Sequence, residues 1–313
     1  MNILIAGATG LIGRKLISAL TEENHKVIVL TRNKNKAKNQ LMEMKDRIHI
    51  TDYQTGWDEN IDTVINLAGS PVTRSWTKKQ RSRIINSRLL STDYIYIRCL
   101  QNKIMPKLWL TVSATGYYND PAGREMDESY LCSSGGFLHR ICEKIEKNSQ
   151  KVTNIVSRHC ILRIGLVLDG SHGFLSKLLP LYNHHLGGHI ADGRQYLPWI
   201  HLTDVVAAMK FIIDHEECSG IINVSSPHPC TQAEFSDILV RLTGKRNPLH
   251  YPAFVVRLML RNQSELFLSS QNVVPRKLLD HGFEFKYPEI QKALEDILIC
   301  RNETDQKQGN PET

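Results

Sequence analysis

The stretch Ile3-Leu4-Ile5-Ala6-Gly7-Ala8-Thr9-Gly10-Leu11-Ile12-Gly13, continued by Leu16, Ile17 and Leu20 and then by Val27-Ile28-Val29-Leu30-Thr31-Arg32, decides how the rest of the chain is read. Ile3 to Ala6 is a short apolar run that stops on a glycine, the next apolar residues recur at helical spacing, and Val27 to Leu30 is a second apolar run. Strand, glycine turn, helix and strand in about thirty residues make a βαβ unit of the size that binds dinucleotides. Gly7 allows the sharp turn, Gly10 lets backbone N–H groups approach a pyrophosphate, and Gly13 lets the helix lie close on the strand. Thr9, Leu11 and Ile12 fill the turn and the first helical positions, where unpaired N–H groups and the positive end of the helix dipole would meet phosphate.

The end of the second strand selects the nucleotide. An Asp or Glu there would bond the ribose 2′-hydroxyl of NAD and repel a 2′-phosphate. The positions are instead Thr31 and Arg32, followed by Asn33, Lys34, Asn35, Lys36 and Lys38. A guanidinium meets a phosphate with two charge-assisted hydrogen bonds and Thr31 can donate a third, so the expected cofactor is NADP(H). Lys36 and Lys38 read as a solvated loop.

Working outward, Ile48 to Thr51, Val64 to Leu67, Leu108 to Ser113, Ile161 to Leu168 and Ile221 to Val224 are further strand candidates, separated by helical stretches such as Lys78 to Leu100. Such alternation gives an α/β fold: a Rossmann-like doubly wound parallel sheet, here with a smaller C-terminal α/β substrate lobe. The expected division is 1–165 plus about 200–225 for nucleotide binding. About 166–199 and 226–300 form the substrate lobe, which closes a cleft over the nicotinamide, and 301–313 is a polar, disordered tail. Ligands in such sheets lie beyond the carboxyl ends of the strands, which points to Leu67, Ala68 and Gly69 as cofactor contacts.

Composition narrows the classes. With 313 residues, 41% hydrophobic and 23% charged, the chain is ordinary for a water-soluble α/β protein, and no apolar run reaches a membrane span. The net charge of +7 is spread out, and no nucleic-acid-binding motif accompanies it. The expected partner is therefore a small molecule rather than nucleic acid or a membrane, and a homo-oligomer is compatible with the sequence. Seven cysteines without a C-x-x-C pair suit free thiols in a reducing compartment, so the expected location is cytoplasmic. The histidines at 184, 185, 189 and 201 are too irregularly spaced to argue for a metal.

Several stretches together carry a family resemblance. They are Gly7 to Gly13, Val64-Ile65-Asn66-Leu67-Ala68-Gly69, Asn86-Ser87-Arg88, Ser113-Ala114-Thr115-Gly116-Tyr117-Tyr118, Pro198-Trp199-Ile200-His201, Asn223-Val224 and Val274-Pro275-Arg276-Lys277-Leu278-Leu279-Asp280-His281-Gly282-Phe283. From residue 1 to about 298 the chain resembles the atypical extended short-chain dehydrogenase/reductases called epimerase family proteins. That group belongs to the NAD-dependent epimerase/dehydratase superfamily and carries a C-terminal domain of unknown function. The resemblance implies NADP contacts from Thr31, Arg32, Leu67, Ala68 and Val167, with Arg88 beside the cofactor where typical members place an Asn. It further implies an oxidoreductase or a nucleoside-diphosphate-sugar epimerase.

One departure bears on chemistry. Typical members use a Tyr-x-x-x-Lys pair beside a Ser, the Lys making the phenol able to move a proton at neutral pH. Ser113 stands where the Ser belongs, but registering Glu146 on the family's helix Glu puts Leu138 and Cys142 in the Tyr and Lys places. Ser113 and Tyr117 are the candidate catalytic residues. Tyr118 is a second source of a phenol, and Thr115 or His139 could bond a substrate, although His139 reads as solvent-facing and Cys142 as a small core residue. The diphosphate-binding Arg usual a few residues before the His of the 199–204 motif is replaced by Leu197-Pro198, leaving Arg194 as a displaced substitute. Two functions are open: an NADP-dependent oxidoreductase or epimerase on a small or sugar-like substrate, and a non-catalytic NADP(H)-sensing protein.

Overall fold

The computed structural model describes residues 1–73, 75–133, 135–244 and 249–309, with the backbone alone described for 302–309. The chain divides into two compact units. The first comprises Met1–Tyr117, Phe137–Arg163 and Val206–Ile222; the second comprises Tyr118–Gly136, Ile164–Val205 and the chain from Asn223 onward.

The first unit opens with β1 (Asn2–Ala6), α1 (Leu11–Glu22), β2 (Lys26–Thr31), α2 (Lys34–Gln40), β3 (Ile48–Asp52) and β4 (Thr63–Asn66). Next come α3 (Lys78–Gln101), β5 (Leu108–Ala114), α4 (Phe137–Ser149) and β6 (Arg158–Ile164). A seventh strand, Gly220–Val224, completes a sheet of order seventh strand, β6, β5, β4, β1, β2, β3. The pairs β1–β2, β1–β4, β2–β3 and β4–β5 are parallel. The sheet therefore reverses its winding between β1 and β4, the point at which such folds bind nucleotides. Ile3, Leu4, Ile5 and Ala6 are all fully buried, as a strand covered on both faces requires. Helix α1 buries Leu16, Ile17 and Leu20 on one side, while Trp57, Ile95, Cys99 and Trp109 fill the core beside β4 and β5.

Arg158 fastens the return of the chain to this unit. Its Nη1 donates to the carbonyls of Ile212 (2.8 Å), His215 (2.7 Å) and Cys218 (3.0 Å), and its Nη2 to that of Ile213 (3.2 Å). One guanidinium thus bonds carbonyls in the last turn of helix Leu202–Asp214 and in the segment just after it.

The second unit differs from the sequence expectation in three places. The apolar run 161–168 is not one strand. It breaks at Gly165, where a Cβ would lie 2.1 Å from the Pro198 oxygen, and Leu166–Leu168 pairs with Trp199–His201 instead of continuing the sheet. Residues 118–136, expected in the nucleotide domain, belong to the second unit because they bond to it. Asp120 donates its N–H to the Ser270 carbonyl (3.1 Å), Met126 to that of Asn272 (2.8 Å), and Glu128 accepts the N–H of Asn223 (2.9 Å). Finally, helix Ile290–Gly309 runs through 301–309, where a disordered tail was expected. A helix already nucleated by packed residues gains a backbone hydrogen bond for each residue added. Residues 310–313 lie outside the described residues. Trp199, Phe235 and Leu294 lie in the core of this unit.

Candidate functional site: a glycine turn and a buried ionic cluster

The glycine turn is built as a backbone platform. Gly7 has φ +80°, and a Cβ there would meet the Leu67 carbonyl carbon at 2.6 Å and the Ala68 nitrogen at 2.7 Å. A side chain at Gly13 would lie 2.6 Å from the Ala8 Cα, and one at Gly10 would crowd the Gly7 oxygen at 3.3 Å. Gly7 and Gly13 are thus required by space, Gly7 by conformation as well, and Gly10 sits in a tight fit. Gly10 is the N-cap of α1 and brings no side-chain acceptor. The N–H groups of Leu11, Ile12 and Gly13 therefore lack the cap that another residue type would supply and remain available to an anionic group. A dinucleotide pyrophosphate fits this cradle. Thr9 lies in the turn itself.

Beyond β2, the Thr31 hydroxyl accepts the Asn33 N–H (3.3 Å), and Asn33 caps α2 by accepting the Lys36 N–H (2.9 Å). Arg32 between them is exposed. Asp52 is the register partner of Thr31 on the neighbouring strand. It is engaged by the N–H groups of Gln54 (3.0 Å) and Thr55 (2.8 Å) and by Lys34 (3.5 Å). The backbone bonds hold its carboxyl below the usual range. The turn around Asp52 thus satisfies that acid without Arg32.

At the end of β4 the Asn66 side chain accepts from the Ala68 N–H (3.2 Å) and the Ser91 hydroxyl (3.1 Å), and donates to Thr92 (2.9 Å). Leu67 donates its N–H to the Ala6 carbonyl (2.9 Å), so the Leu67-Ala68-Gly69 backbone lies directly beside the glycine turn. Arg88 lies over Gly69, where a Cβ would meet its Cζ at 2.6 Å. Its Nη1 donates to the carbonyls of Ser70 (3.0 Å) and Ile84 (2.9 Å), and burial lowers its pKa. Arg88 therefore fixes the loop after β4, a role that the sequence did not indicate.

The candidate catalytic residues meet in a cluster at the end of β5. Ser113 donates its hydroxyl to Glu146 Oε1 (2.8 Å). Arg163 grips the same carboxylate with two bonds, Nε to Oε1 (2.9 Å) and Nη2 to Oε2 (2.8 Å). The guanidinium carbon stands 3.5 Å from the centre of the Tyr117 ring. His139 Nδ1 donates to the Tyr117 carbonyl (2.6 Å), which leaves Nε2 the acceptor in the neutral ring. Ser113, His139, Glu146 and Arg163 are all buried, Arg163 being 2% exposed. His139 was expected to face solvent. It lies on the buried face of α4 with Cys142 and Glu146, so its ring orients the Tyr117 segment from inside.

Leu138 and Cys142, in the Tyr and Lys places, pack against Gly116. The Cys142 thiol donates to the Ala114 carbonyl (3.4 Å), and burial, aided by the Glu146 carboxylate, pushes its pKa up to about 11. A neutral thiol thus stands where a cationic amine would be. Tyr118 is fully buried in the second unit and donates its hydroxyl to Asn223 (2.9 Å), so it is not an accessible phenol. Thr115 is buried at the end of β5. Val167 lies on strand Leu166–Leu168 of the second unit, and Arg194 is exposed in the same unit. The sequence used Glu146 only as a register mark and missed Arg163. Two buried, oppositely charged residues were the available signal, but only tertiary contact shows that they meet.

A parallel sheet of this order, with a glycine turn at its switch point, defines a nucleotide-binding α/β protein of the Rossmann type. The comparisons narrow the class. The chain belongs to the NAD dependent epimerase/dehydratase family, whose model matches residues 3–225, and residues 251–297 match a domain of unknown function, DUF1731. It is 31% identical over 299 residues to the epimerase family protein SAR0825 of Staphylococcus aureus, covering 94% of this chain and 98% of that protein. To the epimerase family protein SSP1921 of Staphylococcus saprophyticus it is 31% identical over 301 residues, with coverages of 95% and 99%. Among solved structures, it superposes on human epimerase family protein SDR39U1, isoform 2, determined with NADPH. There the TM-score is 0.84 at 26% identity, over 95% of this chain and 99% of that one. MoeE5 in complex with UDP-glucuronic acid and NAD shares the fold, with a TM-score of 0.74 at 18% identity over 97% and 100% of the two chains.

Proposed function

We propose that this chain binds NADP(H) and acts as an oxidoreductase or epimerase on a small or sugar-like substrate. The observation that carries the cofactor reading is Arg32, exposed at the end of β2 with the neighbouring acid Asp52 engaged by its own turn and Lys34. The human relative determined with NADPH supports it. Gly7, Thr9, Gly10, Leu11, Ile12 and Gly13 would hold the pyrophosphate, Thr31 and Arg32 the 2′-phosphate, and Leu67, Ala68 and Gly69 the face of the nucleotide. Arg88 holds that last segment in place, and Val167 is a further contact implied by family resemblance. When bound, NADP(H) supplies or accepts a hydride at its nicotinamide. The chain's own residues would do the rest. Ser113, whose proton is committed to Glu146, accepts a hydrogen bond from a substrate hydroxyl, and Tyr117 serves as proton donor. Seven cysteines without a C-x-x-C pair support a reducing, cytoplasmic location.

A second reading is favoured by Cys142 and Leu138. With a neutral thiol and an aliphatic side chain in the two catalytic places, the nucleotide would act as a bound signal rather than a reagent. Titration with NADPH and NADH, followed by energy transfer from tryptophan, tests the cofactor. NADPH should bind at least tenfold tighter than NADH, and equal affinities would remove Arg32 from the argument. Loss of label from stereospecifically deuterated NADPH across a panel of carbonyl and sugar-nucleotide substrates would then separate enzyme from sensor.

A further inference from the structure

The helix Ala253–Leu260 is amphipathic in the wrong sense for a helix packed on a core. Of its eight residues only Val256 is buried, while Phe254 is 69%, Leu258 77% and Met259 72% exposed. Phe254 and Leu258 are four residues apart and share the outward face. Arg257 and Met259, on either side of Leu258 in the sequence, are exposed, and so is Arg261 at the residue that ends the helix. The helix is presented on a firm base. The strand before it, Leu249–Tyr251, pairs with Gly188–Ile190, and the Tyr251 hydroxyl donates to the Leu186 carbonyl (2.8 Å). Leu186 and Leu249 on that base are also exposed, at 50% and 42%.

Charge is as one-sided as the apolar face. Between Asp237 and Glu265 the chain carries Arg241, Lys245, Arg246, Arg257 and Arg261 and no Asp or Glu. A short basic helix with Phe, Leu and Met on its open side matches the chemistry of helices that lie in the headgroup layer of a membrane. We infer that this helix seats the protein on an anionic lipid bilayer, with Phe254, Leu258 and Met259 in the acyl boundary and Arg257 and Arg261 among the phosphates. No apolar run of the sequence is long enough to span a membrane, and among the described residues no helix is long and apolar enough to cross one. Lying on the surface needs neither length nor continuous apolarity. A protein partner fits less well. A helix of this length is about 12 Å long, and a convex ridge of that size falls short of the roughly 800 Å² per partner that a stable protein interface takes.

The test is co-sedimentation of the full chain with vesicles of phosphatidylcholine alone or with about one-third phosphatidylserine. The protein should pellet with the anionic vesicles only, and 0.5 M salt should release most of it, as screening requires. Replacing Arg257 and Arg261 by Gln should weaken partitioning about fivefold for each charge, and Phe254→Ser with Leu258→Ser should abolish it. Because these side chains are exposed, all variants should keep the wild-type circular dichroism and NADPH affinity. Failure to pellet with anionic vesicles would overturn the inference. So would pelleting that survives the Ser variants, or self-association that those variants remove while lipid binding is absent, since the face would then serve a second copy of the chain.

Discussion

Residues 7–13 shape their part of the site with backbone, whereas Ser113, Tyr117, Glu146 and Arg163 shape theirs with side chains drawn from four separate elements. The glycine turn works by what it leaves out. Three missing Cβ atoms let strand, turn and helix close up and present N–H groups. The cluster works by what it brings together, a buried carboxylate shared by a hydroxyl and a guanidinium. A backbone device is written locally in the chain and tolerates almost no substitution at its own positions. A side-chain device has several members, and its energetics depend on whether they are removed singly or together.

The sharpest break in this contrast comes from Glu146→Leu. Removing the carboxylate takes the ion-pair partner of Arg163 out of a buried site, which should destabilise the fold by about 3–5 kcal/mol in urea unfolding. Combining it with Arg163→Met should recover much of that loss, because a neutral apolar pair of similar volume replaces the ion pair. A double variant as unstable as the sum of the singles would mean that the cluster acts through other contacts. Gly7→Ala has no such remedy. The strained φ and the clash with Leu67 and Ala68 should cost about 2–4 kcal/mol and remove nucleotide binding, as read by the same denaturation and by NADPH titration.

Arg32→Glu separates function from stability. The unfolding midpoint should stay unchanged while NADPH affinity falls about thirtyfold or more, the scale of a charge-assisted bond replaced by repulsion. A smaller effect concerns pH. Burial lowers the His159 pKa to about 4 from an ordinary 6.5. The folded state therefore favours the neutral ring, and this contribution is complete above about pH 6.5 and is lost as pH falls toward 4. In His159→Gln, the stability of the chain between pH 7 and 4.5 should decline about 1–2 kcal/mol less than in the wild type. The smallest perturbation is chemical. Cys142, buried and pushed up to about 11, should resist maleimide at neutral pH in the native protein while exposed Cys300 reacts.

The same contrast explains what could be read in advance. The glycine spacing, the apolar strands and the Thr31-Arg32 ending lie within a few residues of one another, so local rules reach the βαβ unit and the switch point. Helix α4 defeats such rules because its buried face includes His139, Cys142, Glu146 and Ser149. A periodicity search assigns polar residues to solvent, and only the contacts with Ser113, Arg163 and the Tyr117 carbonyl reverse that assignment. Gly165 is a third case. It sits inside an unbroken apolar run, and the reason for the break, the Pro198 carbonyl, is thirty-three residues away. Residues 118–136 have no helical or strand period, so their membership in the second unit follows from hydrogen bonds to Ser270, Asn272 and Asn223, which no local pattern announces.

The Arg158 clamp also governs the order in which the molecule can be made. Its four acceptors lie between Ile212 and Cys218, and the first unit is complete only when the seventh strand has been synthesised. The amino-terminal third of the chain emerges from the ribosome roughly a hundred residues before that, a wait of about 5–20 s at 5–20 residues per second. Even once β6 has emerged, its outer edge has no neighbour until the seventh strand arrives, and the carbonyl partners of Arg158 do not yet exist. A nascent chain arrested short of residue 206 should accordingly be protease-sensitive and bound by chaperones, whereas one extended past 224 by the length of the exit tunnel should become resistant.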